Sequence, residues 1–153
     1  MAETTEASTG YNGEVHLSSD DTTTNLYELV QVVSFSLPSD TSERVETTHL
    51  KSPNRRREYT SGMIDGGELT VTLNFRPGSD TDLAIEDALA GGDVRAARFV
   101  IPELGVPTYQ YDTTVVVTGY DKGEVVADGK MEATVTMAIS GAVTGSAYTT
   151  PAP

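Results

Sequence analysis

The segment "GELTVTLNF", residues 67–75, alternates without a break: Leu69, Val71, Leu73 and Phe75 fall on one side of an extended chain, and Glu68, Thr70, Thr72 and Asn74 on the other. A helix repeats its faces about every 3.6 residues, so a period of two specifies a strand with one dry and one wet face. "KMEATVTMAIS", 130–140, repeats the pattern, setting Met131, Ala133, Val135, Met137 and Ile139 against Glu132, Thr134, Thr136 and Ser140. Two such segments require a sheet that buries one face. Further strands are predicted from β-branched and aromatic content over 27–37, 42–50, 94–101 and 111–119.

Turn signals separate these runs: "DGG" at 65–67, "RPGSD" at 76–80, and "DKGEVVADGK" at 121–130, which reads as a short hairpin arm. One segment has a helical signature. Ser79 or Asp80 is its N-cap, Asp80 and Asp82 complement the dipole, Ile85, Ala88 and Leu89 share a face, and Gly91-Gly92 stop it. The fold expected is therefore mainly β: an antiparallel β-sandwich or barrel with one flanking α-helix.

A chain of 153 residues can bury one sizeable core. The expected division is a β domain over 13–144, with a flexible N-terminal arm at 1–12 and a flexible tail at 145–153. Both ends are rich in Thr, Ser, Gly, Glu or Pro and offer little apolar surface to offset the entropy of ordering. The start "MAETTEASTGYNG" has neither a basic nor an apolar signal region, and no apolar run reaches the roughly 18 residues that a membrane span needs, so no membrane anchor is expected.

Cysteine is absent, which excludes disulfides, thiol catalysis and Cys-ligated metals. The nucleophile-elbow, dinucleotide, phosphate-loop and zinc-protease motifs are missing, and His16 and His49 are the only imidazoles. The acids of "SDTDLAIEDAL" lack calcium-loop spacing and serve as helix caps. No catalytic residues, metal site or cofactor are expected.

The charge pattern is more informative. With 23 Asp and Glu against 10 Lys and Arg, the net charge is -13, yet four of the ten basic residues crowd between Lys51 and Arg57 in "KSPNRRREY". A nucleic-acid module would use such a cluster on phosphates, but the acidic field of the whole chain opposes that. A protein contact suits it better, because Arg offered to an acidic copy of the same molecule forms bidentate carboxylate pairs. A solvated hairpin tip is the third reading.

The run "VETTHLKSPNRRREYTSGMIDGGELTVTLNFRPGSD", 45–80, with "LAIEDAL", "RFVIPE" and the closing "DGKMEATVTMAISGAVT", resembles the major tail tube proteins of long-tailed phages and their relatives in gene transfer agents. The resemblance covers roughly residues 10–144. It implies a structural subunit that assembles with itself into hexameric rings, stacked into a hollow tube through which DNA passes without specific binding. A virion tail location, assembly in the bacterial host cytoplasm, and tape measure, tail terminator and tip proteins as partners are implied with it. Tubes of type VI secretion (Hcp-like) or of contractile tails are the alternative within the same architecture. The loop 48–67 is implied to contact neighbouring subunits and the adjacent ring, with Lys51, Arg55, Arg56, Arg57, Glu58 and Tyr59 as the candidate residues. One departure lies in "FRPGSD", where Arg76 stands in place of a common acid.

A bore for DNA must not hold DNA, and every phosphate neutralised by Lys or Arg strengthens binding. Glu68, Thr70, Thr72, Asn74, Glu132, Thr134 and Thr136 form polar strand faces without Lys or Arg and are the lumen-facing candidates. An ordinary solvated sheet face is the alternative for the same residues.

Overall fold

The computed structural model describes residues 8–149. In chain order its elements are β1 (Glu14–Ser18), β2 (Leu26–Glu28), β3 (Val32–Phe35), β4 (Thr41–Glu46), β5 (Tyr59–Asp65), β6 (Glu68–Asn74), α1 (Asp80–Gly91), β7 (Arg95–Glu103), β8 (Val106–Asp121), β9 (Glu132–Ile139) and β10 (Thr144–Ala147). The main sheet is antiparallel and runs β2-β1-β7-β8-β9-β6-β3, with β10 added to β8; β4 and β5 pair only with each other as a separate ribbon.

The two ends of that sheet, β2 and β3, are consecutive in the chain and separated only by Leu29, Val30 and Gln31. Such a short link between opposite edges makes the sheet curl and brings those edges close, without hydrogen bonds between β2 and β3, which gives the sandwich or barrel expected from the sequence. Phe35 of β3 closes the interior by stacking on Phe99 of β7, with ring centroids 5.9 Å apart. The expected strand 27–37 is thus two strands. Leu29 is buried and donates its N–H to the Val15 carbonyl at 2.9 Å, and Gln31 takes a positive φ of 65°, which turns the chain across the seam.

The alternating segments behave as their pattern requires. Leu69, Val71 and Leu73 of β6 lie opposite Met137, Val135 and Ala133 of β9, and all six are buried. Val15, Leu17, Phe99, Val115, Val117 and Ile85 complete the core around them. Each such Val or Leu contributes about 1.5–3 kcal/mol through removal from water. Three strands carry no long alternation and were not anticipated: β1, β5 and β10. β10 occupies Gly145, Ser146 and Ala147 of the expected tail, held by backbone pairing to β8 and by the Tyr109 ring lying against Gly145, where a Cβ would collide. Residues 1–7 and 150–153 of the expected arm and tail lie outside the described residues.

The helix begins and ends as predicted. Ser79 Oγ accepts the Asp82 N–H at 3.3 Å, and Gly92 closes the C-terminus in the left-handed region, donating to the Ala88 carbonyl at 3.2 Å. Its inner face is Thr81, Asp82, Ile85 and Ala88; Leu89, expected on that face, is 39% exposed. Asp82 is a buried anchor: Oδ1 accepts the Tyr120 hydroxyl at 2.7 Å and Oδ2 accepts the Gly78 N–H at 3.0 Å. At the other end of the helix, buried Arg95 of β7 donates to Asp93 at 3.1 Å and Asp87 at 3.3 Å, and the Asp93 carboxyl is held below its ordinary pKa chiefly by that Arg95 hydrogen bond.

Burial, followed by the hydrogen bond to Asp82, raises the Tyr120 phenol above its ordinary pKa. The neutral phenol is therefore the form that stabilises the fold, fully so below the unfolded value near pH ~10, with the contribution lost as pH rises toward the folded value. Tyr120→Phe is expected to cost about 1–2 kcal/mol in urea unfolding at neutral pH. It should also flatten the loss of stability above about pH 10 relative to the parent chain. Equal midpoints for the two proteins at neutral pH would contradict the anchoring role.

Candidate functional site

The register of β6 on β9 decides how the polar strand faces relate. Thr70 lies opposite Thr136, Thr72 opposite Thr134, Asn74 opposite Glu132, and Glu68 opposite Ala138. Directly opposed residues of an antiparallel pair share a face, so the seven candidates from two distant segments form one continuous patch. Hydroxyls that the sequence reading did not include extend it on both sides. Ser34 of β3 is opposite Thr72, and Thr118 of β8 donates to the Thr136 carbonyl at 3.2 Å. Thr118 escaped notice because a register shift between Val117 and Gly119 breaks the alternation there. The patch is not wholly free of cations: Lys130, just before β9, pairs with Glu132 at 3.0 Å. Asn74 donates to Gln31 at 3.2 Å.

The basic cluster lies elsewhere, at the tip of the β4–β5 ribbon. The second half of the expected loop 48–67 is strand β5, and the whole of β4 is exposed, as is all of β5 except half-buried Gly62. Closure of the ribbon is dense. The Thr47 N–H donates to the Glu58 carbonyl at 2.8 Å, and the Glu58 N–H donates to Thr48 Oγ1 at 2.8 Å. Ser52 donates to the Glu58 carboxylate at 2.6 Å and receives the His49 N–H at 3.0 Å; His49 Nε2 stands 3.6 Å from the same carboxylate. Pro53 is followed by Asn54 and Arg55 with φ of 55° and 56°, and this left-handed pair reverses the chain.

The six candidates of this loop divide into two groups. Glu58 is engaged inside the tip, and Tyr59 carries the Arg44 guanidinium 4.3 Å above its ring. Lys51, Arg55, Arg56 and Arg57 are exposed, and none of them has an ion pair among the described residues. By contrast Arg95, Arg98, Lys122 and Lys130 are all paired, with Asp87 and Asp93, Asp112, Glu86 and Glu132 respectively. The free positive charge of an acidic molecule is thus concentrated on a ribbon that stands apart from the barrel.

Among the described residues no group of His, Asp or Glu is arranged to hold a metal ion, and no helix is long and apolar enough to cross a membrane.

Residues 9–146 match the family described as "Lambda phage tail tube protein, TTP". The chain belongs to that family. It is a structural subunit of the tail tube of a phage or phage-like particle, and tail tube proteins are virion components. Solved tail structures share its fold. A chain in the virion of a native gene transfer agent superposes with a TM-score of 0.71 at 20% identity, covering 92% of this chain and 99% of that one. A chain in the tail of an empty gene transfer agent particle, refined with C6 symmetry, gives 0.69 at 21% identity, with 90% and 98% covered. The SPP1 tail tube protein gives 0.67 at 16% identity, with 93% and 80% covered. Among curated proteins none matches the chain by sequence.

The tip network predicts a local effect. Glu58→Ala removes the acceptor of the Ser52 hydroxyl, whose oxygen in turn receives the His49 N–H, and should speed amide hydrogen exchange at His49 and Arg56 by about tenfold. Global stability should shift by no more than about 0.5 kcal/mol, as for other exposed sites. Unchanged exchange at both amides would mean that the tip is held by its backbone alone.

Proposed function

We propose that this tail tube protein assembles into hexameric rings stacked into a tube, that the hydroxyl and acid face of β3, β6, β9 and β8 lines the bore, and that the cationic ribbon tip joins subunits. The observation that carries the reading is the merger of the two polar strand faces into one patch whose neighbouring lysine, Lys130, is neutralised by Glu132. DNA sliding past such a surface meets hydroxyls and carboxylates and releases few counterions, so it is not retained. The six-fold symmetry in the refinement of the gene transfer agent tail supports the ring number.

Two physical needs of the free subunit agree with this reading. β3 pairs on one side only, with β6, and its open edge is the kind that a neighbouring subunit's strand covers. Copies carrying -13 each repel one another, and the unpaired cations of the tip offset that repulsion at the contacts. DNA is the passenger, a tape measure protein and terminal tail proteins are the remaining partners, and no catalytic step is assigned to the chain.

Electron microscopy of concentrated purified protein tests the assembly: stacked rings with a central hole are expected, and separate globules at every concentration would overturn it. The bore is tested by Thr72→Lys combined with Thr136→Lys. Tubes of this variant should retain double-stranded DNA at low salt with a release that steepens by about 0.9 in log–log slope per phosphate contacted. Parent tubes should retain none; variant tubes that also retain none would place this patch outside the bore.

A further inference from the structure

The hairpin arm between β8 and β9, residues 122–131, has no role in the reading above. Its position follows from the register. Asn74, at the end of β6, faces Glu132, where the arm re-enters the sheet, whereas Glu68, at the start of β6, faces Ala138. The β4–β5 ribbon joins β6 at that Glu68 end through Gly66 and Gly67. The arm and the cationic ribbon are therefore rooted at opposite ends of the same strand pair.

Each element also presents an excess of one charge at its exposed end. The arm contains two lysines, and both are consumed within the chain: Lys122 by Glu86 and Lys130 by Glu132. What remains outward is negative, with exposed Glu124 and Asp128 on either side of Val125 and Val126, which are 78% and 45% exposed. In the tip the reverse holds. Glu58 accepts the Ser52 hydroxyl within the tip, and the charges left outward are Lys51, Arg55, Arg56 and Arg57, beside the fully exposed Leu50.

We propose that the arm is the receiving surface for the ribbon tip of a second copy, so that Arg55–Arg57 of one subunit dock on Glu124 and Asp128 of the next subunit along the tube. This rests on the tube reading and names the two surfaces that meet between rings. Two different complementary surfaces form a heterologous contact, and with their roots at opposite ends of the β6–β9 pair its repetition runs on as a filament rather than closing into a ring. Arginine suits the donor side because its planar fork takes carboxylates in pairs, and Leu50 facing Val125 and Val126 supplies the apolar centre that charges alone lack. Each exposed ion pair is weak by itself, and its repetition around every ring is what gives the contact its strength.

The test uses the full chain in three forms: a tip reversal (Arg55→Glu, Arg56→Glu, Arg57→Glu), an arm reversal (Glu124→Lys, Asp128→Lys), and both together. Tube formation is read by microscopy and by the fraction that pellets as protein concentration increases, with circular dichroism melts confirming that each form is folded. Either reversal alone should raise the concentration needed for tubes by about tenfold or more, and the combined form should return to within about threefold of the parent. The neutral arm, Glu124→Gln with Asp128→Asn, should fall between parent and reversal. Parent tubes together with an unaffected arm reversal, or a combined form no better than the single reversals, would overturn this inference while leaving the tube reading intact. Absence of tubes from the parent itself would overturn both. A tip reversal that left tubes unchanged but abolished binding of a DNA duplex would give the arginines to nucleic acid instead.

Discussion

The pairing of β6 with β9 is the constraint on which the rest of the molecule depends. It sets Leu69, Val71 and Leu73 against Met137, Val135 and Ala133 in the core, and in the same stroke aligns Thr70 and Thr72 with Thr136 and Thr134 on the outside. A slip of one residue would send threonines into the core and valines to the surface, so apolar burial fixes the register and the register fixes the polar patch. It also fixes the ends, because Glu68 is joined to the ribbon and Glu132 to the arm. The surface chemistry of this protein is thus a by-product of how its interior packs.

Charge is distributed by a second rule. Outside the ribbon, ion pairs engage every lysine and arginine among the described residues except exposed Arg76, as with Arg98 and Asp112 at 2.7 Å or Arg95 with Asp87 and Asp93. Such pairs are half-buried or better on the arginine side, where they hold elements together. The tip of the ribbon follows the opposite course, keeping its cations unpaired at the surface. Asp20 shows how local polar structure is built elsewhere: its carboxylate accepts from the Thr22 hydroxyl and N–H, Asn25 and Ser18, and these bonds, Thr22 first, hold its pKa well below the usual range. That knot shapes the β1–β2 turn, whose Asp20 carbonyl receives the Ala96 N–H of β7 at 2.9 Å.

How much was legible in the sequence depended on whether one segment carried its own signal. β6 and β9 were readable from alternation, and the helix from Ser79 and Gly92, because period and capping are local properties. The patch candidates were readable residue by residue, but their union was not, since Thr72 and Thr134 become neighbours only through the register. β1 is too short to show a period, β10 is written in Gly, Ser and Ala, and β5 hides behind the arginines, so each is a strand by virtue of a partner supplied by the fold. The break at Leu29–Gln31 was likewise invisible, because "YELVQVVSFSL" carries no Gly or Pro to mark a turn that Gln31 makes at positive φ.

The order of strands in the sheet also sets a schedule for the chain as it is made. β1 waits for β7 and β6 waits for β9, so Val15 and Val71 are flanked on one side only, by Leu29 and Phe35, until residues beyond 95 and 132 have been synthesised. Contacts of such sequence separation form late, and the apolar rows stay uncovered in the meantime. The pairs built from near neighbours are hairpins, such as the β4–β5 ribbon from Thr41 to Asp65 and the β7–β8 turn at Glu103 and Val106, and a two-stranded hairpin alone is marginal in water. Nearly the whole polypeptide must therefore leave the ribosome before any lasting structure exists, which keeps a half-made subunit from offering a finished surface to a growing polymer.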